Sequence, residues 1–363
     1  MSKHTMIDYI YETKPAVIGI INNSSSLCGE FAQQVAHKGY KRIILVASGT
    51  SYNACVTAKY FMEKMIAIPV TPMTAYSFAH YENILGKDDL IVAVTQEGES
   101  TNTIDCLNKA NELGLDNYVV TEYLDNTCTQ IAKGKVTIDC GREFVGPKTK
   151  GYTATVLTLY MMALESAKQL GTISQEEYVD YKERAATTIN NLDVIIEQTK
   201  DWFEANKEDL VNCERCYMLG YGANVGTAIE GALKSLETVR YTFFGFEVEE
   251  FLHGPLASVK PDVYTILIAP KGYGYDRATA LYKILNSQNE HSYAIGAQET
   301  VDSKHVLAGD FMNDPDFSTL EYCVPLQLFA YLLYTAKGID LEVRNYPRTR
   351  DALPTKANPV KPS

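Results

Sequence analysis

The sequence predicts an α/β protein built from two doubly wound parallel sheets, and three observations carry the prediction. Its apolar stretches are short and unbroken instead of alternating, as expected of strands covered on both faces. Each is followed by a segment of helical period, and the whole alternation starts again after a long helical interruption. With 363 residues and 46% hydrophobic content, the chain is long enough for roughly two such domains.

In chain order, residues 1–29 read as an N-terminal helical segment and residues 30–172 as the first domain. Its strand runs are "RIILVA" (42–47), "LIVAVT" (90–95), "YVV" (118–120) and "KVTIDC" (135–140). A long apolar helix is expected from Gly151 to Leu170. A more polar helical stretch follows from Ser174 to Trp202, with Ser174 and Glu176–Glu177 as its N-terminal signal, inside a helical connection over 173–208. Strands resume in the second domain, 209–340, at "RCYMLG" (215–220), "VYTILIA" (263–269) and "SYAIGA" (292–297), with helical pattern at 224–241, 275–287 and 323–337. The Pro-rich and basic remainder, 341–363, reads as a surface arm, a lid or disorder.

A weak internal duplication accompanies this order. With Arg42 laid on Arg215, Ala47 falls on Gly220, Gly49 on Gly222 and Ser51 on Asn224, each copy reading strand, glycine turn, helix. Ser48, Thr50 and Ser51 occur in the first copy alone, which marks it as the ligand-reading one.

A net charge of −12 without a basic cluster argues against nucleic acid or an anionic membrane as partner. No signal-peptide pattern and no long apolar run suggest export or a membrane span, so a cytoplasmic location is expected. Eight cysteines (28, 55, 106, 128, 140, 213, 216 and 323) lack framework spacing and read as reduced core thiols. The pair Cys213 and Cys216 is a lone CxxC without a nearby His, so Cys216 is expected to open a buried strand and no metal site is implied.

Two hydroxyl-rich turns follow predicted strands: Ser48-Gly49-Thr50-Ser51, and Thr95-Gln96-Glu97-Gly98-Glu99-Ser100 with Thr103 one helical turn on. A helix N-terminus at the carboxyl end of a parallel strand presents unpaired amides and a positive dipole to an oxyanion, and hydroxyls add neutral donors. Ser51 and Ser100 could instead be simple N-caps. Two such turns on neighbouring strands favour one shared anion site. Neither matches GxGxxG or GxxxxGK[ST], so a sugar phosphate is expected rather than a nucleotide.

Further on, Glu230, Lys234 and Glu237 in "AIEGALKSLETVRY" share one helix face at i, i+4 and i+7. The plain alternative is a solvated ion pair. His253, in "EVEEFLHGPLASV", sits at an element end before Gly254-Pro255 and after an acidic cluster. A carboxylate and an imidazole held over a sugar carbon form a competent base and acid.

Taken together, "SGTSYNA", "TQEGESTNT", "KTKGYTATV", "EGALKSLETV" and "EFLHGPLASV", in this order, resemble the double sugar-isomerase (SIS) domain family over about residues 30 to 345. The branches it is most similar to are the isomerase half of glucosamine-6-phosphate synthase and the bacterial fructosamine- and glucoselysine-6-phosphate deglycases. The resemblance implies two three-layer αβα domains. It implies that Ser51, Gln96 and Ser100 hold the sugar phosphate beside Ser48, Gly49, Thr50 and Thr95. Glu237 then shuttles a proton between sugar carbons, Lys234 lies by the carbonyl or amine, and His253 assists ring opening or protonates the leaving group at the partner subunit's site in a homodimer. Neither a metal nor a redox cofactor is implied.

The sequence departs from the synthase pattern in three places. It begins Met1-Ser2-Lys3 without a glutaminase domain, so glutamine is not expected to supply ammonia. Glu97 and Lys148 replace small residues, with a Glu97–Lys148 pair as one means of compensation. The closing lysine of the pattern is matched to Lys356. The expected activity is deglycation: cleaving the C–N bond of a 6-phosphorylated sugar–amine adduct to a hexose 6-phosphate and a free amino acid. Alternatives are an aldose–ketose phosphosugar isomerase and a non-catalytic phosphosugar-binding regulator.

Overall fold

The computed structural model describes residues 4–296, 304–343, 345, 349 and 352–357. The chain divides into two compact units, one of residues 15–144, 150–182 and 341–363, the other of residues 1–14, 145–149 and 183–340. Each is built around a five-stranded, all-parallel sheet.

Helix α1 (Met6–Lys38) leads into β1 (Arg42–Ala47), α2 (Thr50–Ile66), β2 (Val70–Thr74), α3 (Ala75–Tyr81), β3 (Asp89–Val94), α4 (Thr101–Glu112), β4 (Asp116–Thr121), α5 (Thr127–Ile131), β5 (Gly134–Thr137) and α6 (Lys150–Leu170). The strand order is β2-β1-β3-β4-β5. The central strand β3 is buried throughout, which is why its sequence is continuously apolar. On one face Ile44, Val46, Ile91, Ala93 and Val119 pack against Cys106, Leu107 and Ala110 of α4.

The stretch expected as one helix from Ser174 is two, α7 (Gln175–Asn190) and α8 (Leu192–Ala205). A capping box opens the first: Glu177 N–H donates to Ser174 Oγ at 3.1 Å and Ser174 N–H to Glu177 Oε2 at 2.8 Å.

The second sheet follows α9 (Lys207–Leu210). Its elements are β6 (Arg215–Gly220), α10 (Asn224–Thr238), β7 (Thr242–Glu247), α11 (Val248–Leu252), a 3-10 turn (Pro255–Ser258), β8 (Tyr264–Ile268), α12 (Tyr275–Gln288), β9 (Ser292–Ile295), β10 (Val306–Leu307) and α13 (Ser318–Ala336). Its order, β10-β9-β8-β6-β7, is the first sheet's order with β6 in the place of β1 and β7 in that of β2. The duplication seen in the sequence is therefore a duplication of topology.

The two faces of this sheet are covered by different helices. Met218 contacts the α10–α13 layer, where Gly231 of α10 meets Leu326 of α13 with no room for a side chain. The next residue, Leu219, points the other way and packs with Val248 and Phe251 of α11 and with Ala278 and Leu281 of α12.

All eight cysteines are free and buried, and Cys216 is the second residue of β6. Among the described residues no helix is long and apolar enough to cross a membrane.

Candidate active site

β1 and β3 are neighbours, with Ala47 opposite Val94. The turns that follow them therefore leave the same edge of the first sheet, on strands about 4.8 Å apart. In the first turn Gly49 is the N-cap of the 17-residue α2, with φ 58° and ψ −134°, a conformation that favours glycine. Thr50 is the first helical residue, so Ser51 stands inside the helix and is not its cap. Ser48 and Gly49 are exposed, while Thr50 and Ser51 are half-buried.

The second turn is braced by the loop after β4. Thr95 N–H donates to Val120 O at 3.0 Å, Glu122 N–H to Gln96 O at 3.0 Å and Cys128 N–H to Gly98 O at 3.0 Å. The Glu99 carboxylate accepts from Thr127 N–H at 2.9 Å and from its hydroxyl at 2.8 Å. Gly98 has φ 70°, and a side chain there would overlap Asn126. Ser100 occupies the N-cap position of α4, yet its side chain makes no cap hydrogen bond.

Neither serine is thus spent on capping. Among the described residues the Ser48, Ser51, Thr95 and Ser100 hydroxyls and the Gln96 amide make no side-chain hydrogen bond, whereas Thr103 is buried. Donors held in place beside two helix N-termini, without protein acceptors, are what an oxyanion needs.

Glu97 pairs with Lys356. The segment carrying Lys356 lies along the second turn: Ser100 and Lys356 form an antiparallel bridge, Thr101 N–H donates to Thr355 O at 3.1 Å and Ala357 N–H to Glu99 O at 2.9 Å. Lys148 is half-buried two residues before α6.

In the other unit, Glu230, Lys234 and Glu237 fall on one face of α10, as their spacing predicts, but the face is not solvated. Lys234 is 0% exposed and Glu230 1%. The ammonium lies 3.4 Å from Glu230 Oε1 and also contacts Glu237, whose side chain is 38% exposed. Burial opposes the charged ammonium, but Glu230 and then Glu237 outweigh it and hold Lys234 above its ordinary value. Glu237 is therefore a carboxylate oriented by a buried cation with one end open to solvent.

His253 caps α11, with its N–H donated to Glu250 O at 3.2 Å, and is exposed. Two carboxylates of the acidic cluster before it have structural duties. Glu247 accepts from Glu250 N–H at 2.8 Å, and Glu249 pairs with Arg277 at 2.6 Å. Glu237 and His253 are not brought together within one chain: α10 lies on the face of the sheet shared with α13, and α11 on the face shared with α12.

Comparison with known proteins agrees with this architecture. A model of the SIS domain matches residues 38–165 and 209–302, more than half of the chain. The chain belongs to the SIS domain family. It is 29% identical over 342 residues to a glutamine–fructose-6-phosphate aminotransferase [isomerizing] of Thermococcus kodakarensis, covering 93% of this chain and 56% of that protein. The chain thus spans about half the length of the curated relatives it matches.

Among solved structures, one from Clostridium difficile 630, provisionally described as a phosphosugar isomerase, superposes with a TM-score of 0.90 at 29% identity, covering 98% of this chain and 99% of that one. The C-terminal domain of glucosamine-fructose-6-phosphate aminotransferase from Francisella tularensis gives 0.81 at 25% identity, covering 93% and 97%.

Around the first SIS sheet the structure adds charged residues that the sequence reading missed. Lys150 and Glu143 are both 3% exposed. Glu143 accepts from Gly151 N–H at 3.1 Å, Gly151 packs directly on the Gln96 amide, and Glu122, next to Gln96 through its N–H, accepts from Gly141 N–H at 2.7 Å. The signal was present in "KTKGY": a lysine in the first turn of an apolar helix opposes the helix dipole and calls for a partner.

Proposed function

We propose that this SIS chain is an enzyme that holds a phosphorylated sugar by the two hydroxyl turns and moves a proton between sugar carbons with Glu237. We propose further that it does so to release an amine from a 6-phosphorylated sugar–amine adduct of the fructoselysine or glucoselysine type. The observation that carries the reading is the set of uncommitted donors, Ser48, Ser51, Thr95, Gln96 and Ser100, at one edge of the first sheet. The oriented, part-exposed Glu237 carboxylate supports the catalytic half.

In an adduct carrying the amine on C1 of a ketose, Glu237 takes a proton from C1 and delivers it to C2 after ring opening, which converts the amine to a C1 imine. Water adds across the C=N bond, the C–N bond breaks, and the amine leaves with a proton supplied by His253, giving glucose 6-phosphate. An adduct on C2 of an aldose runs the same steps from C2 to C1 and gives fructose 6-phosphate. Lys234 offsets negative charge developing on oxygen, and the reading assigns Lys148 to the phosphate as well. Because the sheet separates His253 from Glu237 in one chain, the reading assigns the two to one site through a homodimer.

The names of the relatives favour a second reading, an aldose–ketose phosphosugar isomerase that releases no amine. Incubation with both phosphorylated sugar–lysine adducts and with free hexose 6-phosphates separates the two. Lysine release with glucose 6-phosphate or fructose 6-phosphate supports deglycation. Interconversion of hexose phosphates alone supports the isomerase, and neither outcome removes both.

A further inference from the structure

Arg42, Arg184, Arg215 and Arg277 each pair with a carboxylate. Arg142 is different. It stands exposed on the loop after β5, and among the described residues its guanidinium makes no ion pair and no hydrogen bond. The neighbouring carboxylates are engaged by the main chain: Glu122 accepts from the Cys140 and Gly141 amides at 3.0 and 2.7 Å, and Glu143 from Gly151 N–H at 3.1 Å. The backbone is therefore pinned on both sides of Arg142. Its side chain is steadied by two rings, with the guanidinium carbon 5.5 Å from the centre of Tyr123 and 5.0 Å from that of Phe144. Contacts of this kind orient a guanidinium without using its N–H groups, which stay available for a planar, two-oxygen acceptor.

The loop leaves the same edge of the first sheet as the hydroxyl turns, since β5 runs parallel to β4 and β4 to β3. Glu122, which holds the loop, donates its own N–H to Gln96 O at 3.0 Å, so the loop and the second turn are joined through one residue. Two strand spacings, roughly 10 Å, separate the end of β3 from that of β5. In a 6-phosphorylated sugar–amine adduct the phosphate and the amine part lie toward opposite ends of the sugar chain. We infer that Arg142 binds a carboxylate on the amine part, so that the substrate is the adduct of an amino acid whose carboxyl group is free. The phosphate is met by neutral hydroxyls and helix N-termini, and the oriented cation stands beyond them, where a second, planar anion needs it. This inference rests on the proposed function, because an isomerase of free hexose phosphates has no second anion to place there.

The full-length chain, titrated with two adducts of one hexose 6-phosphate, provides the test. One adduct carries lysine through its ε-amine, the other pentane-1,5-diamine, which is lysine without its carboxyl group. The parent should bind the lysine adduct about tenfold more tightly, the scale of one hydrogen bond between charged groups. Arg142→Met, which keeps an apolar arm against the rings, should bring the two affinities to within about twofold of each other, and Arg142→Lys should restore part of the preference. A preference that survives in Arg142→Met, or a parent that shows none, overturns the assignment. Equal weakening of both adducts and of inorganic phosphate in Arg142→Met would make Arg142 a phosphate ligand and overturns it as well. A parent that releases no amine from either adduct and binds them no better than free hexose 6-phosphate overturns the proposed function and this inference with it. Amine release from both adducts with equal kcat/KM overturns this inference alone.

Discussion

Lys234 reaches Glu237 across one turn of α10, and the two ends of that pair stand in different surroundings: the ammonium is buried and the carboxylate is part-exposed. Structure and chemistry can therefore be separated by substitution. Lys234→Met takes a buried ammonium away from two carboxylates and should cost about 3 kcal/mol of stability in urea unfolding. Glu237→Gln leaves the Lys234–Glu230 pair intact. It should change stability by less than about 1 kcal/mol while lowering kcat by roughly a thousandfold. Normal turnover in Glu237→Gln would remove this residue from the chemistry.

The serine turns offer an equally sharp contrast. A working N-cap loses about 1 kcal/mol when its hydroxyl is removed. Because Ser51 lies inside α2 and Ser100 makes no cap hydrogen bond, Ser51→Ala and Ser100→Ala should each leave the melting temperature nearly unchanged. Each should weaken phosphosugar binding by about tenfold, the scale of one hydrogen bond to a charged group. Asn126→Ala, which removes a true cap from α5, is the control that should melt earlier. Loss of stability in the serine variants with binding intact would return them to plain capping.

What the sequence disclosed follows burial. Of the strands read from it, β1, β3, β6 and β8 lie inside their sheets and are largely apolar, while β5, read from "KVTIDC", lies at an edge. Missed were the two-residue β10 and the edge strands β2 and β7. One carries Pro72, tolerable where a ladder hydrogen bond is not required, and the other carries Gly245, packed against the backbone of α10. Residue spacing along one element placed Glu230, Lys234 and Glu237 together, because helix geometry is local. It gave no access to the separation of Glu237 from His253, which depends on the direction of a crossover, or to the Glu97–Lys356 pair, whose members are joined only by tertiary folding.

Gly98 tests how firmly the second turn is shaped. Its φ of 70° disfavours any side chain, and a methyl group would meet the Asn126 amide that caps α5. Gly98→Ala should therefore cost about 2 kcal/mol in thermal or urea unfolding and weaken phosphosugar binding at the same time. A variant as stable as the parent would mean that the turn relaxes freely and that its hydroxyls are not held in place.

A final prediction concerns Glu321, in the first turn of α13. Burial pushes its carboxyl up to about 7, against the pull of the Met312 and Asn313 amides, which donate to it at 2.9 and 2.8 Å. The unfolded chain holds this proton with an ordinary glutamate value near 4.5, so between the two values the folded state binds it more tightly. Its contribution is fully present below the lower value and is lost as pH rises through the upper one, a change on the order of 3 kcal/mol. Urea midpoints should accordingly fall between about pH 5 and pH 8, and Glu321→Gln, which keeps an acceptor for an amide but has no proton to lose, should flatten that fall. An equally steep fall in the variant would assign the pH dependence to other groups and leave Glu321 ionised in its pocket, held by the two amides and the dipole of α13.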